Sequence, residues 1–134
     1  MAEQSSHPRP ASGTFCWNEL TTTDSQSCTN FYTQLFGWMP STSDIGGVPY
    51  ATFKSGEREV GGMFQMTDEW GDPRPPAHWM TYVAVDDVEE VVRRVAELGG
   101  KVCVPPTDIP NVGRFSVITD PSGATLSVIK LSRS

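Results

Sequence analysis

Three side chains in this 134-residue chain have types that could do chemistry. Glu19 lies in an alternating run, Thr14–Leu20, where it shares parity with Trp17, so both point to the same side of a strand. A carboxylate enclosed there would meet a donor, such as Tyr82 or an arginine, or have its pKa raised by desolvation. Raised, it would serve as a general base; the plainer reading is a paired structural glutamate. His78 opens a second alternating run and shares parity with Met80 and Tyr82. It is read either as an acid/base partner or as a hydrogen-bonded strand-end histidine, and His7 lies in a polar tail. Arg114 follows a segment stiffened by Pro105, Pro106 and Pro110, beside Gly113. Its planar fork suits a carboxylate or phenolate, unless it simply pairs with an acidic neighbour.

Composition narrows the chemistry. Lys+Arg is 10 and Asp+Glu is 16, a formal charge of −6, which argues against nucleic-acid partners and an anionic membrane surface. No apolar run approaches the about 20 residues of a membrane span, and the opening MAEQSSHPRPASGT lacks the apolar core of a signal peptide. A cytoplasmic protein is expected. Cys16, Cys28 and Cys103 form no CxxC pair and are odd in number, so a disulfide framework or zinc ribbon is a poor reading. They are expected to be buried small hydrophobes.

The elements that must position these groups follow from periodicity. Residues 1–13 read as a disordered tail and Thr14–Leu20 as a strand. Asp24 caps a helix carrying Cys28, Phe31, Tyr32, Leu35 and Phe36 at helical spacing, stopped by Gly37. Strands are expected at Trp38–Ser43, Pro49–Lys54 and Glu59–Met66, with turns at Gly46-Gly47 and Ser55-Gly56. The proline-rich stretch Asp68–Ala77 reads as a linker. The order then recurs. His78–Val85 is a strand, and Asp87 caps a helix with Val88, Val91, Val92, Val95 and Leu98, ending at Gly99-Gly100. Lys101–Val104 is a strand, Pro105–Asn111 a loop, Gly113–Thr119 a strand, Asp120–Gly123 a type I turn and Ala124–Leu131 the last strand. A displacement of 63 residues superposes Asp24 on Asp87 and Leu35 on Leu98; one of 62 superposes Gly61 on Gly123. Two βαβββ modules, about 14–67 and 78–131, therefore make one α+β domain. The solvated stripe of the second helix is Glu89, Glu90, Arg93, Arg94 and Glu97.

The segments FCWNELTTTDSQSCTNFYTQLFGW, VGGMF, HWMTYVAVDDVEEVVRRVAELGGKV and PPTDIPNVGRFSVITDPSGA carry a resemblance to the vicinal oxygen chelate superfamily. That superfamily includes glyoxalase I, bleomycin-resistance proteins and extradiol dioxygenases; a bacterial subgroup labelled hydroxylases or glyoxalase-like proteins is the most similar. The resemblance spans residues 14–131 and implies a half-barrel of eight strands with a ligand cavity on its concave face, commonly in a homodimer. It also implies, for metal-dependent members, four His, Glu or Gln ligands on the first and last strands of each module. Placed by the capping Asp residues and the DPxG turn, those positions fall on Trp17, Met80 and Ser127, and the 62-residue displacement carries Ser127 to Gln65. One-residue slips would bring Cys16 or Asn18, Phe64 or Met66, Trp79 or Thr81, and Leu126 or Val128. Only Gln65 is an accustomed ligand, so no metal and no cofactor are expected.

These readings converge on a metal-independent binder of a small organic molecule, aromatic or a natural product. Its ligand-binding residues would be Trp17, Gln65, Met80, Tyr82, Arg114 and Ser127, with Phe64 or Met66, Trp38 and Phe53 as further wall candidates. The competing class is a metal-free lyase, isomerase or hydroxylase-like enzyme using Glu19, with His78 or Tyr82, as acid/base. A third is an interaction module whose cavity is filled. No nucleic-acid or membrane partner is expected.

Overall fold

The structure is a computed structural model that describes residues 10–45, 48–67 and 74–132. Its elements run β1 (Phe15–Thr22), α1 (Ser25–Phe36), β2 (Met39–Ile45), β3 (Val48–Ser55), β4 (Arg58–Gln65), then β5 (His78–Ala84), α2 (Val88–Glu97), β6 (Lys101–Ile109), β7 (Gly113–Thr119) and β8 (Thr125–Leu131). The order βαβββ occurs twice, an α+β arrangement of eight strands and two helices among the described residues. The chain divides into two compact units, one spanning Asn18–Met80 and the other built from the described residues on either side of it.

In the Asn18–Met80 unit the strand order is β2-β3-β4-β1. β1 runs parallel to β4, with Leu20 beside Met63, and β4 is antiparallel to β3, with Met63 beside Ala51. A parallel neighbour needs a crossover, and α1 supplies it. Leu20, Ala51, Phe53 and Met63 form the core under α1, with Cys28, Tyr32, Trp38 and Val60 packed against them. Asp24 accepts hydrogen bonds from the Ser27 N–H (3.1 Å) and from Ser27 Oγ (2.8 Å), which holds its carboxyl below the usual carboxylate range. Gly37 ends the helix in the left-handed region (φ 78°), and its N–H donates to Thr33 O. The apolar stripe is only half covered: no residue of α1 is fully buried, and Phe31, Leu35 and Phe36 are each more than half exposed.

In the other unit β8 lies between β5, to which it is parallel, and β7, and β6 is the outer strand. Asp87 caps α2 by accepting from the Glu90 N–H, and Val88 and Val95 are buried. Glu89, Glu90, Arg93, Arg94 and Glu97 are exposed, and Arg93 pairs with Glu90, as a solvated stripe should. Asp120 accepts from the Ser122 and Ala124 N–H groups at 2.8 and 3.1 Å and from Ser122 Oγ at 2.7 Å, so its carboxyl too is held low.

Three expectations need correcting. The segment read as a loop over Pro105–Asn111 is largely strand, because β6 continues to Ile109. It is an outer strand with register shifts around Val104, where prolines need donate nothing to a ladder. Cys103 lies in that irregular stretch and is exposed rather than buried, while Cys16 and Cys28 are half-buried. Residues 11–13, read as tail, form a turn: Gly13 N–H donates to Ala84 O (2.7 Å) and Ala84 N–H to Thr14 O (2.8 Å). Tail residues 1–9, the Gly46-Gly47 turn and linker residues 68–73 lie outside the described residues. Among the described residues no helix is long and apolar enough to cross a membrane.

Candidate functional site

The register of β1, β4 and β3 decides which side chains share a face. Leu20, Met63 and Ala51 are cross-strand neighbours on the face that α1 covers. Their sequence neighbours Glu19 and Thr21 on β1, Gly62 and Phe64 on β4, and Tyr50 and Thr52 on β3 therefore share the opposite face. Glu19 stands beside Gly62, and Thr21 beside Phe64, which in turn neighbours Tyr50.

Glu19 is only 7% exposed, and the Tyr50 hydroxyl donates to its Oε2 at 2.9 Å. The phenol reaches Glu19 by passing over Gly62: a Cβ there would fall 1.6 Å from the Tyr50 hydroxyl oxygen. Phe64 meets the Tyr50 ring edge-on, with centroids 4.7 Å apart. A buried carboxylate, a phenol and an aromatic ring thus line one sheet face. Sequence reading found Glu19 but not Tyr50. The available signal was the pair Gly61-Gly62 in a strand, because glycine inside a strand marks a close approach by another group.

Gln65 turns the other way. Its Oε1 accepts from the Ser25 N–H at 2.8 Å and its Nε2 donates to Thr23 O at 2.6 Å, so the amide ties the end of β4 to the start of α1. It also lines a cleft of about 360 Å³ on the α1 side, with Ser25, Thr29, Pro40 and Thr42. Trp38 and Phe53 also belong to the α1 side, in ring contact with Tyr32, and Met66 is buried. His78 uses Nδ1 to donate to Pro76 O at 2.8 Å. Met80, like Trp17, is half-buried.

In the other unit Tyr82 and Ser127 are cross-strand neighbours on β5 and β8, and both are buried. Ser127 Oγ, fully enclosed, has no hydrogen-bond partner among the described residues. Arg114 is clamped: its Nε donates to Glu89 (2.8 Å) and its Nη1 to Asp108 (2.9 Å). Both carboxylates favour the charged guanidinium and raise its pKa further.

Strand register also revises the internal equivalence. Glu19 and Tyr82 correspond under the 63-residue displacement. Their cross-strand neighbours are Gly62 and Ser127, so the last strands are displaced by 65 residues rather than 62. The counterpart of Ser127 is a glycine, and Gln65 lies three residues further along on the other face. Trp17, Gly62, Met80 and Ser127 present no imidazole and no carboxylate. Among the described residues no three His, Cys, Asp or Glu side chains cluster closely enough to hold a metal ion. The donor set does not fit one.

Over residues 15–128 the sequence matches the glyoxalase/bleomycin resistance protein/dioxygenase superfamily. The chain belongs to that superfamily. This superfamily member is 41% identical over 121 residues to "Putative glyoxylase CFP32" of Mycobacterium bovis, covering 88% of the chain and 44% of the relative. It is 34% identical over 131 residues to "Anthracycline biosynthesis protein DnrV" of Streptomyces peucetius, covering 90% and 48%. It thus spans about half the length of the curated relatives it matches. Two solved structures share the fold: protein BH1468 from Bacillus halodurans C-125 (TM-score 0.68, 14% identity, 92% of this chain and 98% of that one) and methylmalonyl-CoA epimerase from Mycobacterium tuberculosis (0.61, 13%, 94% and 94%).

Proposed function

We propose that the chain binds a small organic molecule, aromatic in character, against the face that carries Glu19 and Tyr50, and that it does so without a metal ion. The observation that carries this reading is the Glu19–Tyr50 pair: a carboxylate at 7% exposure, held by a phenol that needs Gly62 to reach it. A buried carboxyl in contact with a phenol on a sheet face away from the α1 core is the kind of group that marks a binding site. Phe64 and the Tyr50 ring supply flat apolar surface, and the carboxylate supplies one directed acceptor, the mixture a small-molecule site needs. A relative named for anthracycline biosynthesis points to fused aromatic ligands. Metal independence is supported by the donor set of Trp17, Gly62, Met80 and Ser127 and by the engagement of Gln65 with Ser25 and Thr23.

A second reading rests on the same pair. A carboxylate oriented by a phenol can take a proton from a bound substrate and return it, which would make the chain a metal-free isomerase or lyase.

Both readings are tested by titrating fused aromatic phenols and quinones against the purified chain and following thermal stability. A saturable rise in Tm is expected, with affinity about tenfold weaker in Glu19→Gln, the equivalent of one charge-assisted hydrogen bond. Equal binding by wild type and Glu19→Gln, with turnover also unchanged, would remove the ligand from this face. Loss of turnover with retained affinity in that variant would select the enzyme. Elemental analysis is expected to find no stoichiometric metal, and zinc or nickel should leave Tm unchanged; one bound equivalent would overturn metal independence.

A further inference from the structure

We propose that the cleft between the first two turns of α1 and the sheet beneath them binds a neutral, hydroxyl-rich molecule of monosaccharide size. The cleft measures about 360 Å³, within the about 300–1,000 Å³ of small-molecule sites. It lies within the Asn18–Met80 unit, on the other side of the sheet from Glu19, and does not depend on the function proposed above. The internal repeat shows what sets it apart. Asp24 and Asp87 cap the two helices at equivalent places, so Ser25 corresponds to Val88 and Thr29 to Val92. Val88 is 2% exposed and Val92 half-buried, so apolar side chains close the start of α2 inward. α1 puts hydroxyls in both places, and both line the cleft. Serine for valine removes volume, and threonine for valine brings a hydroxyl into an apolar setting. The later turns of α1 are closed differently: Tyr32 contacts Trp38 and Trp79, and the Trp79 indole N–H donates to its hydroxyl at 3.1 Å. The cleft accordingly reaches no further along the helix than Thr29.

Strand register fixes the rest of the lining. Thr42 stands beside Ala51 and Ala51 beside Met63, all on the face that α1 covers, and Pro40 and Pro49 share that parity. Ala51 and Met63 are buried and form an apolar floor. Ser25 and Thr29 from the helix and Thr42 from β2 border it, and their hydroxyls make no hydrogen bond among the described residues. No side chain lining the cleft is charged at neutral pH. The ligand class follows by elimination. An ion would lose its water with no opposite charge to meet it. A wholly apolar molecule would cover the hydroxyls and leave them without partners. Each of these hydroxyls both donates and accepts, and a ligand hydroxyl answers both from a single atom. The floor and the proline rings offer C–H surface to the ring of such a ligand. A neutral sugar meets all of these conditions.

Proton–nitrogen correlation NMR of the full chain, titrated with glucose, galactose and mannose, tests this. At least one sugar should give saturable shifts at Ser25, Gln26, Thr29 and Thr42. Gluconate, of similar size but charged, should bind more weakly than that sugar. Ser25→Val/Thr29→Val gives α1 the residues of α2; it should raise Tm by filling the cleft and weaken sugar binding about tenfold. Thr42→Val, on β2, should weaken binding as well and serves if the helix variant does not fold. The proposal is overturned if none of the sugars gives saturable shifts at these residues, or if the shifts are confined to Glu19 and Gly62. Binding that is equal in wild type and in a folded variant overturns it too, as does tighter binding of gluconate.

Discussion

Glu19, Tyr50 and Gly62 act as a set, and that has a measurable signature. Tyr50→Phe keeps the ring and its contact with Phe64 but removes the donor to Glu19 Oε2. A loss of about 1–3 kcal/mol in urea unfolding is expected. Gly62→Ala should lose a similar amount, because its methyl would clash with the Tyr50 hydroxyl and push it off Glu19. The double variant should lose much less than the two losses added together, since each change breaks the same contact; full additivity would show that Gly62 serves something else. Of this set only Glu19 was legible in the sequence, through its alternation with Trp17. Its donor lies 31 residues away, and no local pattern reveals which residue of β3 stands over which residue of β4. The same register explains why a numerical displacement pointed to Gln65. Glycine leaves no side-chain signal, and a polar amide three positions on looked like a ligand.

The helices and turns were the most legible elements, because their end signals are local. Asp24, Asp87 and Gly37 act where their residue types say they should. Two such end-capping carboxylates, Asp24 at the start of α1 and Asp120 in the turn before β8, also set a pH dependence. Asp24 and Asp120 have their pKa lowered in the folded state, so they stabilise it above the unfolded value of about 3.9 and lose that effect as pH falls through their folded values. Acid unfolding below about pH 4 should therefore be blunted in Asp24→Asn/Asp120→Asn, with the difference from wild type vanishing at the lowest pH. Gln65→Leu belongs to the same scale. It leaves the Ser25 N–H and Thr23 carbonyl without their partner and should reduce stability by about 1–2 kcal/mol. Pro105 and Pro106 were misread because proline normally ends a ladder, and position at a sheet edge is a tertiary fact. Replacing both with Thr would restore donors on the exposed side of β6, and light scattering should show faster aggregation.

For the molecule as a whole, charge and duplication set the behaviour. A chain at −6 with a sequence pI of about 4.7 should self-associate more strongly as salt is added or as pH falls towards 5, and concentration-dependent sedimentation checks this. The repeat of βαβββ was visible because both capping Asp residues and both helical stripes recur at one spacing. What the repeat could not reveal is that its two helices have diverged, one to meet water and one to expose rings. The nest around Tyr32 has an optical consequence. Trp38 and Trp79 lie 6.4 Å apart with planes at 81°, near enough for their excited states to couple and split into a circular-dichroism couplet. Both belong to the Asn18–Met80 unit, so the couplet reads the melting of that unit alone, while the far-ultraviolet backbone band reads both. Coincident curves would mean the two units unfold in one cooperative step; an earlier loss of the couplet would mean that the first half of the chain can come apart while the second stays intact.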